Sequence, residues 1–188
     1  MARPILQLSD ISLTFGGDPL LDGVDLVVQS DERMALVGRN GSGKSTLMKV
    51  LAGIVELDSG TRTVTPGRAI RYMEQDPYFG HHATLGDFAL QDLEPSEEYR
   101  LEAIAGGLSF DPSVDTRTAS GGERRRAALA RILADPPDLM LLDEPTNHLD
   151  IFAISWLEEY LKSTRSSFII ISHDRAFLRA LCQTTLWL

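Results

Sequence analysis

A chain of 188 residues with 43% apolar side chains has the length of one domain or two small subdomains, and can bury a core without a disulfide or metal staple. Its 27 acidic against 18 basic residues leave a net charge of −9, which excludes the wholly basic face that grips a phosphate backbone. The lone Cys182 cannot close an intrachain disulfide, no Cys/His spacing matches a zinc site, and no apolar run approaches the ~18–20 residues that cross a bilayer.

In chain order, alternating apolar residues over 5–15 and 20–29, split by Gly16-Gly17-Asp18-Pro19, predict two antiparallel strands and a turn. Met34-Ala35-Leu36-Val37 reads as a buried strand running into a glycine-rich loop, with a helix over 44–52 and a further strand over 69–73. From 77 to 118 the composition turns acidic and proline-punctuated, which predicts a small, mostly helical insertion. Alternation then resumes, with helices over 122–134, 151–162 and 175–181, strands over 139–142 and 168–171, and strand character over 184–188. Strands alternating with helices predict an α/β fold with a mostly parallel sheet and an N-terminal antiparallel β part. The chain stops in mid-strand, which predicts a truncated part of a longer protein.

Gly38-Arg39-Asn40-Gly41-Ser42-Gly43-Lys44-Ser45 fits the phosphate-loop pattern G-x-x-x-x-G-K-[ST] and stands between a predicted strand and a predicted helix. The glycines let backbone N–H groups wrap phosphates, and the helix N-terminus adds partial positive charge. Lys44 is expected to reach the β/γ-phosphates and the Ser45 hydroxyl to ligate Mg²⁺, with ATP–Mg²⁺ occupying the loop through Thr46. The plain alternative is an ordinary glycine-rich βα turn.

Leu139-Met140-Leu141-Leu142-Asp143-Glu144 is an apolar strand ending in two carboxylates. Asp143 suits a Mg²⁺ role, and Glu144, ionised at neutral pH, can orient and deprotonate an attacking water. A solvated acid pair at a strand end is the competing reading. Gln75 and His173 also follow predicted strands, and in a parallel sheet ligands sit outside the carboxyl ends of the strands. Lys44, Gln75, Asp143, Glu144 and His173 are therefore expected at one rim. Alone, His173 reads as a helix-capping or surface histidine and Gln75 as a turn residue. A Ser and two glycines opening a helix, Ser120-Gly121-Gly122, make a second anion site of backbone N–H groups.

Ser120-Gly121-Gly122-Glu123 resembles the signature of ATP-binding-cassette ATPases, with Ala119 and Glu123 where that family usually has Leu and Gln. The resemblance runs along nearly the whole chain. It implies that the signature closes in trans over the γ-phosphate held by a second cassette, and that Phe15 stacks on adenine, although a lone Phe in a strand is also a core residue. Gln75 matches the Q-loop, a Mg²⁺ ligand, Asp143-Glu144 the Walker B pair, Asn147-His148-Leu149-Asp150 the D-loop, and Ser172-His173-Asp174 the switch histidine. The implied fold is a phosphate-loop NTPase with a catalytic core over 1–76 and 119–188 and a helical subdomain over 77–118.

Asp143-Glu144-Pro145-Thr146-Asn147-His148-Leu149-Asp150 and Ser172-His173-Asp174-Arg175 look like the ABC-F branch, and the stretch after them is similar to Uup-type members. That branch implies a cytoplasmic ATPase acting on a ribosome or nucleic acid, with no membrane insertion, and the start of the chain has no apolar signal-peptide stretch. The sequence carries one cassette, without the linker or arm that contacts RNA in the family. Arg124-Arg125-Arg126 reads as a solvated helix face with ion pairs, or alternatively as an RNA contact. Two other functions stay open: the ATP-binding subunit of an ABC transporter, and an isolated fragment that binds nucleotide with little turnover.

Overall fold

Residues 4–73 and 77–188 are described by a computed structural model, in which the chain first runs through β1 (Pro4–Leu13), β2 (Leu21–Gln29), β3 (Arg33–Val37), α1 (Lys44–Ala52), β4 (Ser59–Val64) and β5 (Ile70–Met73). There follow α2 (Leu85–Leu90), a 3₁₀ turn at Pro95–Glu97, α3 (Tyr99–Leu108), α4 (Gly121–Ala134) and β6 (Leu139–Asp143). The chain closes with α5 (Ile151–Ser163), β7 (Ser167–Ile171), α6 (Arg175–Leu181) and β8 (Thr184–Trp187). Two compact units result. The first holds Met1–Tyr72, Pro137–Asp143 and Arg165–Leu188, and the second holds Met73–Pro136 and Glu144–Thr164.

Both sheets belong mainly to the first unit. One is antiparallel, in the order β2-β1-β4; the other runs β5-β6-β7-β3-β8, with the β6–β7, β7–β3 and β3–β8 pairs parallel. β6 and β7 are buried at every position, as strands covered on both faces must be, which explains their unbroken apolar runs. α1 joins the two sheets. Leu47, Met48, Val50 and Leu51, at helical spacing, pack in one cluster with Ile5, Leu8 and Ile11 of β1 and with Leu139, Leu141, Ile169 and Ile171 of β6 and β7. Each such side chain contributes roughly 1.5–3 kcal/mol on burial. Gly53, in the left-handed conformation, ends the helix by donating to the Lys49 and Val50 carbonyls.

The start of β6 is tied to its neighbours by Asp138. Its carboxylate accepts from the Ala69 N–H at 2.8 Å and pairs with Arg68, while its carbonyl accepts from Ser167 N–H. Burial pushes the Asp138 carboxyl pKa up, but the Ala69 N–H and the Arg68 guanidinium together outweigh it, so the group stays below the ordinary carboxylate range.

The second unit is helical, and α2 and α3 fall within the acidic 77–118 stretch. Thr84 caps α2 in a reciprocal capping box with Asp87. Gly107 on α3 lies directly under the Trp156 ring of α5, where any Cβ would overlap the indole, and Trp156 stacks on Tyr160 at 5.5 Å. The Tyr160 hydroxyl then donates to the Leu133 carbonyl at the end of α4 at 2.6 Å, joining three helices, and burial pushes its pKa up.

Two expectations change. β4 has no counterpart among the predicted strands: Ser59-Gly60-Thr61-Arg62-Thr63-Val64 is mostly exposed and carries no apolar alternation, so its pairing with β1 creates the strand. β1 ends at Leu13, which leaves Phe15 beyond it and 66% exposed, so Phe15 is not a core residue. Among the described residues no helix is long and apolar enough to cross a membrane.

Candidate active site

The phosphate loop leaves β3 at Val37 and enters α1 at Lys44, all within the first unit. Gly43 is the N-cap residue, at φ 93°, and no side chain caps the helix, nor does an acid occupy its first turn. Its early N–H groups thus carry no side-chain partner, which suits an incoming anion. A Cβ on Gly43 would also press on Leu20 at 2.9 Å. Lys44 Nζ donates to the Gly38 carbonyl at 3.0 Å and the Arg39 carbonyl at 2.8 Å, so the ammonium lies over the loop. Ser42 N–H closes the loop on the Arg39 carbonyl at 3.2 Å, while Ser42 Oγ is buried and has no hydrogen-bond partner. A buried hydroxyl without a partner is costly, and a phosphate oxygen would satisfy it.

Asp143 ends β6 opposite Ile171 of β7, is 3% exposed, and accepts from the Tyr72 hydroxyl at 3.3 Å. A carboxylate so buried calls for a cation, and with the Ser45 hydroxyl it offers the hard oxygen donors that Mg²⁺ takes. His173 follows β7 by two residues, beside Ser172, whose Oγ accepts from the Asp174 N–H at 3.0 Å. Asp174 in turn caps α6 through Ala176 N–H and Phe177 N–H. Ser172 and His173 line a cavity of about 910 Å³ together with Gly38, Arg39 and Ser42 of the phosphate loop. The end of β7, distant in sequence, thus meets the loop, as the parallel order requires.

Phe15 rides on the turn between β1 and β2. The Leu20 N–H donates to the Leu13 carbonyl at 2.9 Å, and Leu20 packs at Gly43, so this turn is anchored beside the start of α1. Gln75 lies outside the described residues. Glu144 is half-buried and follows Asp143 directly, in the left-handed region at φ 52°, where the chain passes into the second unit.

In the second unit Ser120 is the N-cap of α4, with Gly121 and Gly122 in its first turn. Unlike Gly43, it is part of a closed capping box: Glu123 N–H donates to Ser120 Oγ at 3.3 Å, and the Ser120 N–H and hydroxyl donate to Glu123 Oε2 at 2.8 and 2.7 Å. The Ser120 hydroxyl, then its backbone N–H, hold the Glu123 carboxyl below the usual carboxylate range.

Two residues of the arginine run, Arg124 and Arg126, depart from the ion-paired, solvated face expected of it. Arg124 stacks over the buried Phe79 ring at 4.8 Å, and Arg126 Nη1 donates to the His148 carbonyl at 3.1 Å. Both Nε atoms are buried without a partner. Neither contact has a local sequence signal, because each partner lies more than twenty residues away. Tyr72 beside Asp143 was equally invisible, since a tyrosine in a strand reads as core.

A family model for ABC transporters matches residues 21–147. The ATP-binding protein Uup of Caulobacter vibrioides is 48% identical over 98% of this chain, which spans only 30% of that protein's length. Among solved structures, an ATP-binding subunit of an ABC transporter aligns at a TM-score of 0.86 and 25% identity, covering 98% of this chain and 85% of its own. A dimeric ATP-binding cassette, MJ0796, in a post-hydrolysis state bound to ADP and Pi, aligns at 0.81 and 19% identity over 97% and 94%. With its phosphate loop, strand-end carboxylate and signature box all inside or following the matched stretch, the chain belongs to the ABC transporter family of ATP-binding cassettes.

Proposed function

We propose that this chain is an ATP-binding and ATP-hydrolysing cassette of the ABC-F type, which closes on a second cassette and reopens to act on a ribosome or nucleic-acid partner. The observation that carries the nucleotide reading is the loop from Gly38 to Ser45, which feeds a helix without a side-chain cap and holds a buried, unpartnered Ser42 hydroxyl. The branch rests on the Asp143–Asp150 and Ser172–Arg175 motifs and on the 48% identity to a protein named Uup.

In this reading the amides of Gly38, Arg39, Asn40, Gly41, Ser42 and Gly43, with Ser45 and Thr46, wrap the phosphates, and Lys44 neutralises β/γ charge. Phe15, exposed on its anchored turn, stacks on adenine. Ser45, Asp143 and Gln75 would hold Mg²⁺, which when bound neutralises phosphate charge. Glu144 accepts a proton from the water that attacks the γ-phosphorus, the bond to the β,γ-bridging oxygen breaks, and ADP and phosphate leave. His173, two residues beyond β7, would meet the γ-phosphate. Ser120 and Gly122 of a second cassette, in the signature turn that also holds Gly121 and Glu123, complete the charge stabilisation.

Because half of each site comes from another copy, hydrolysis by this chain is slow, and its specific activity rises with protein concentration. Losing one well-aimed donor costs about 10²–10³ in rate. Glu144→Gln keeps ATP binding, removes the base and traps a dimer holding two ATP. Specific activity across a roughly hundredfold concentration range, with light scattering of Glu144→Gln with and without ATP, checks this. Constant specific activity with no ATP-dependent dimer contradicts it. A second reading, a transporter's ATP-binding subunit, is favoured by the TM-score of 0.86 to a protein of that title. Stimulation of ATPase by ribosomes or RNA decides for the first.

A further inference from the structure

The five-residue path from Glu144 to His148 contains two non-glycine residues in the left-handed region, Glu144 at φ 52° and His148 at φ 64°. L-residues rarely take that conformation, and two so close in sequence persist only where surrounding contacts determine them. Turn bonds within the loop include Asn147 N–H to the Glu144 carbonyl and Leu149 N–H to the Thr146 carbonyl, both at 3.2 Å. After it, Asp150 caps α5 through the Ala153 N–H at 2.8 Å. These contacts lie within the loop and at the start of α5.

Arg126 lies one turn into α4, and its Nη1 donates to the carbonyl of His148, one of the two left-handed residues. Its Nε is buried and unpartnered, so the guanidinium is engaged at its tip, through Nη1. On the same face of α4, Gly122 lies against His148, where a Cβ would stand 3.4 Å from the His148 Cβ. Arg126 also attracts Glu123, the carboxylate of the Ser120 capping box. One guanidinium thus touches the loop after the strand-end acids and acts on the first turn of the signature helix. All of these residues lie in the second compact unit.

We propose that Arg126 is a positioning residue, which clamps the 144–150 loop to the first turn of α4 so that the backbone carrying Glu144 moves with the signature helix. The clamp stands on the second unit's own geometry; that Glu144 is the base it positions rests on the function proposed above. A movement of Ser120 and Gly122 against a second cassette would then be transmitted to the loop through the guanidinium and the His148 carbonyl. Lys in place of Arg keeps the charge and a donor but loses the planar fork, and so retains part of the effect.

The test uses Arg126→Ala, Arg126→Gln and Arg126→Lys in the full chain. Amide exchange at Asn147–Asp150, read without nucleotide, is expected to accelerate roughly five- to tenfold in the Ala and Gln variants, the worth of one hydrogen bond, with the interior of α5 unchanged. Lys restores most of the protection. In ATPase assays kcat falls about tenfold in Ala while KM for ATP stays within about twofold, because the nucleotide contacts are untouched. Should Arg126→Ala fail to fold, Gln carries the same comparison. Unchanged exchange over 147–150 in the folded variants overturns the clamp, whatever the ATPase does. Faster exchange with an unchanged kcat overturns its link to Glu144. A wild-type chain without ATPase activity sinks the proposed function, and the exchange experiment still decides the clamp.

Discussion

Two helices of this chain begin at glycine- and serine-rich turns, and they treat their N-termini in opposite ways. α1 starts at Gly43, with φ 93°, no side-chain cap and no acid in its first turn. α4 starts at Ser120 inside a capping box, with the Glu123 carboxylate hydrogen-bonded to Ser120 in front of its own N-terminus. The first therefore presents donors to a ligand, whereas the second has already supplied an internal anion. By sequence both are anion sites; the structure separates an open one from one that is occupied by its own side chain. A phosphate approaching α4 has to compete with Glu123 for the Ser120 hydroxyl.

Glycine substitutions break this contrast most sharply. Gly43→Ala places a Cβ against Leu20 in a left-handed backbone, and is expected to weaken ATP binding about tenfold or more. Gly121→Ala meets nothing within 4 Å in a helical position, and is expected to leave ATP binding unchanged while raising stability by up to ~1 kcal/mol. Titration and melting of the two variants check it, and equal effects would erase the distinction.

A smaller effect sharpens the account of the capping box. Ser120→Ala removes the cap and is expected to cost about 1 kcal/mol of stability without changing ATP affinity. The pH dependence follows from the sign of the Glu123 shift. Its folded pKa lies below the unfolded value near ~4.3, so its contribution is full above that pH and is lost as pH falls through the folded pKa. In Ser120→Ala, acid denaturation followed by circular dichroism loses that component of the wild-type limb. An acid limb identical in both proteins would mean that the box contributes nothing.

The parts of the molecule that were legible in the sequence are those where local pattern and burial agree. The unbroken apolar runs of β6 and β7 are buried throughout, and the phosphate loop stands between β3 and α1 as its spacing demands. Asp143 and His173 follow from the parallel order, because each continues a strand to the same end. β4 escaped notice because its exposed, polar residues gain strand conformation only from pairing with β1. Phe15 was placed in a strand because nothing local distinguishes Leu13 from Phe15 as the last paired residue; the Leu13–Leu20 hydrogen bond makes the distinction. The contacts of Arg124 and Arg126 are hidden in the sequence for a related reason. A run of three arginines suggests solvent, yet Phe79 and the His148 carbonyl, brought in from distant segments, take up two of them.

The central claim is that the open N-terminus of α1, with Lys44 folded over its loop, is where nucleotide phosphates bind. Calorimetric titration of ATP–Mg²⁺ into the wild-type chain and into Lys44→Ala tests it most directly. The account predicts measurable binding in the first and a loss on the order of a hundredfold or more in the second, since Lys44 supplies the ammonium that meets the β/γ-phosphates. Equal affinities in the two proteins would contradict it.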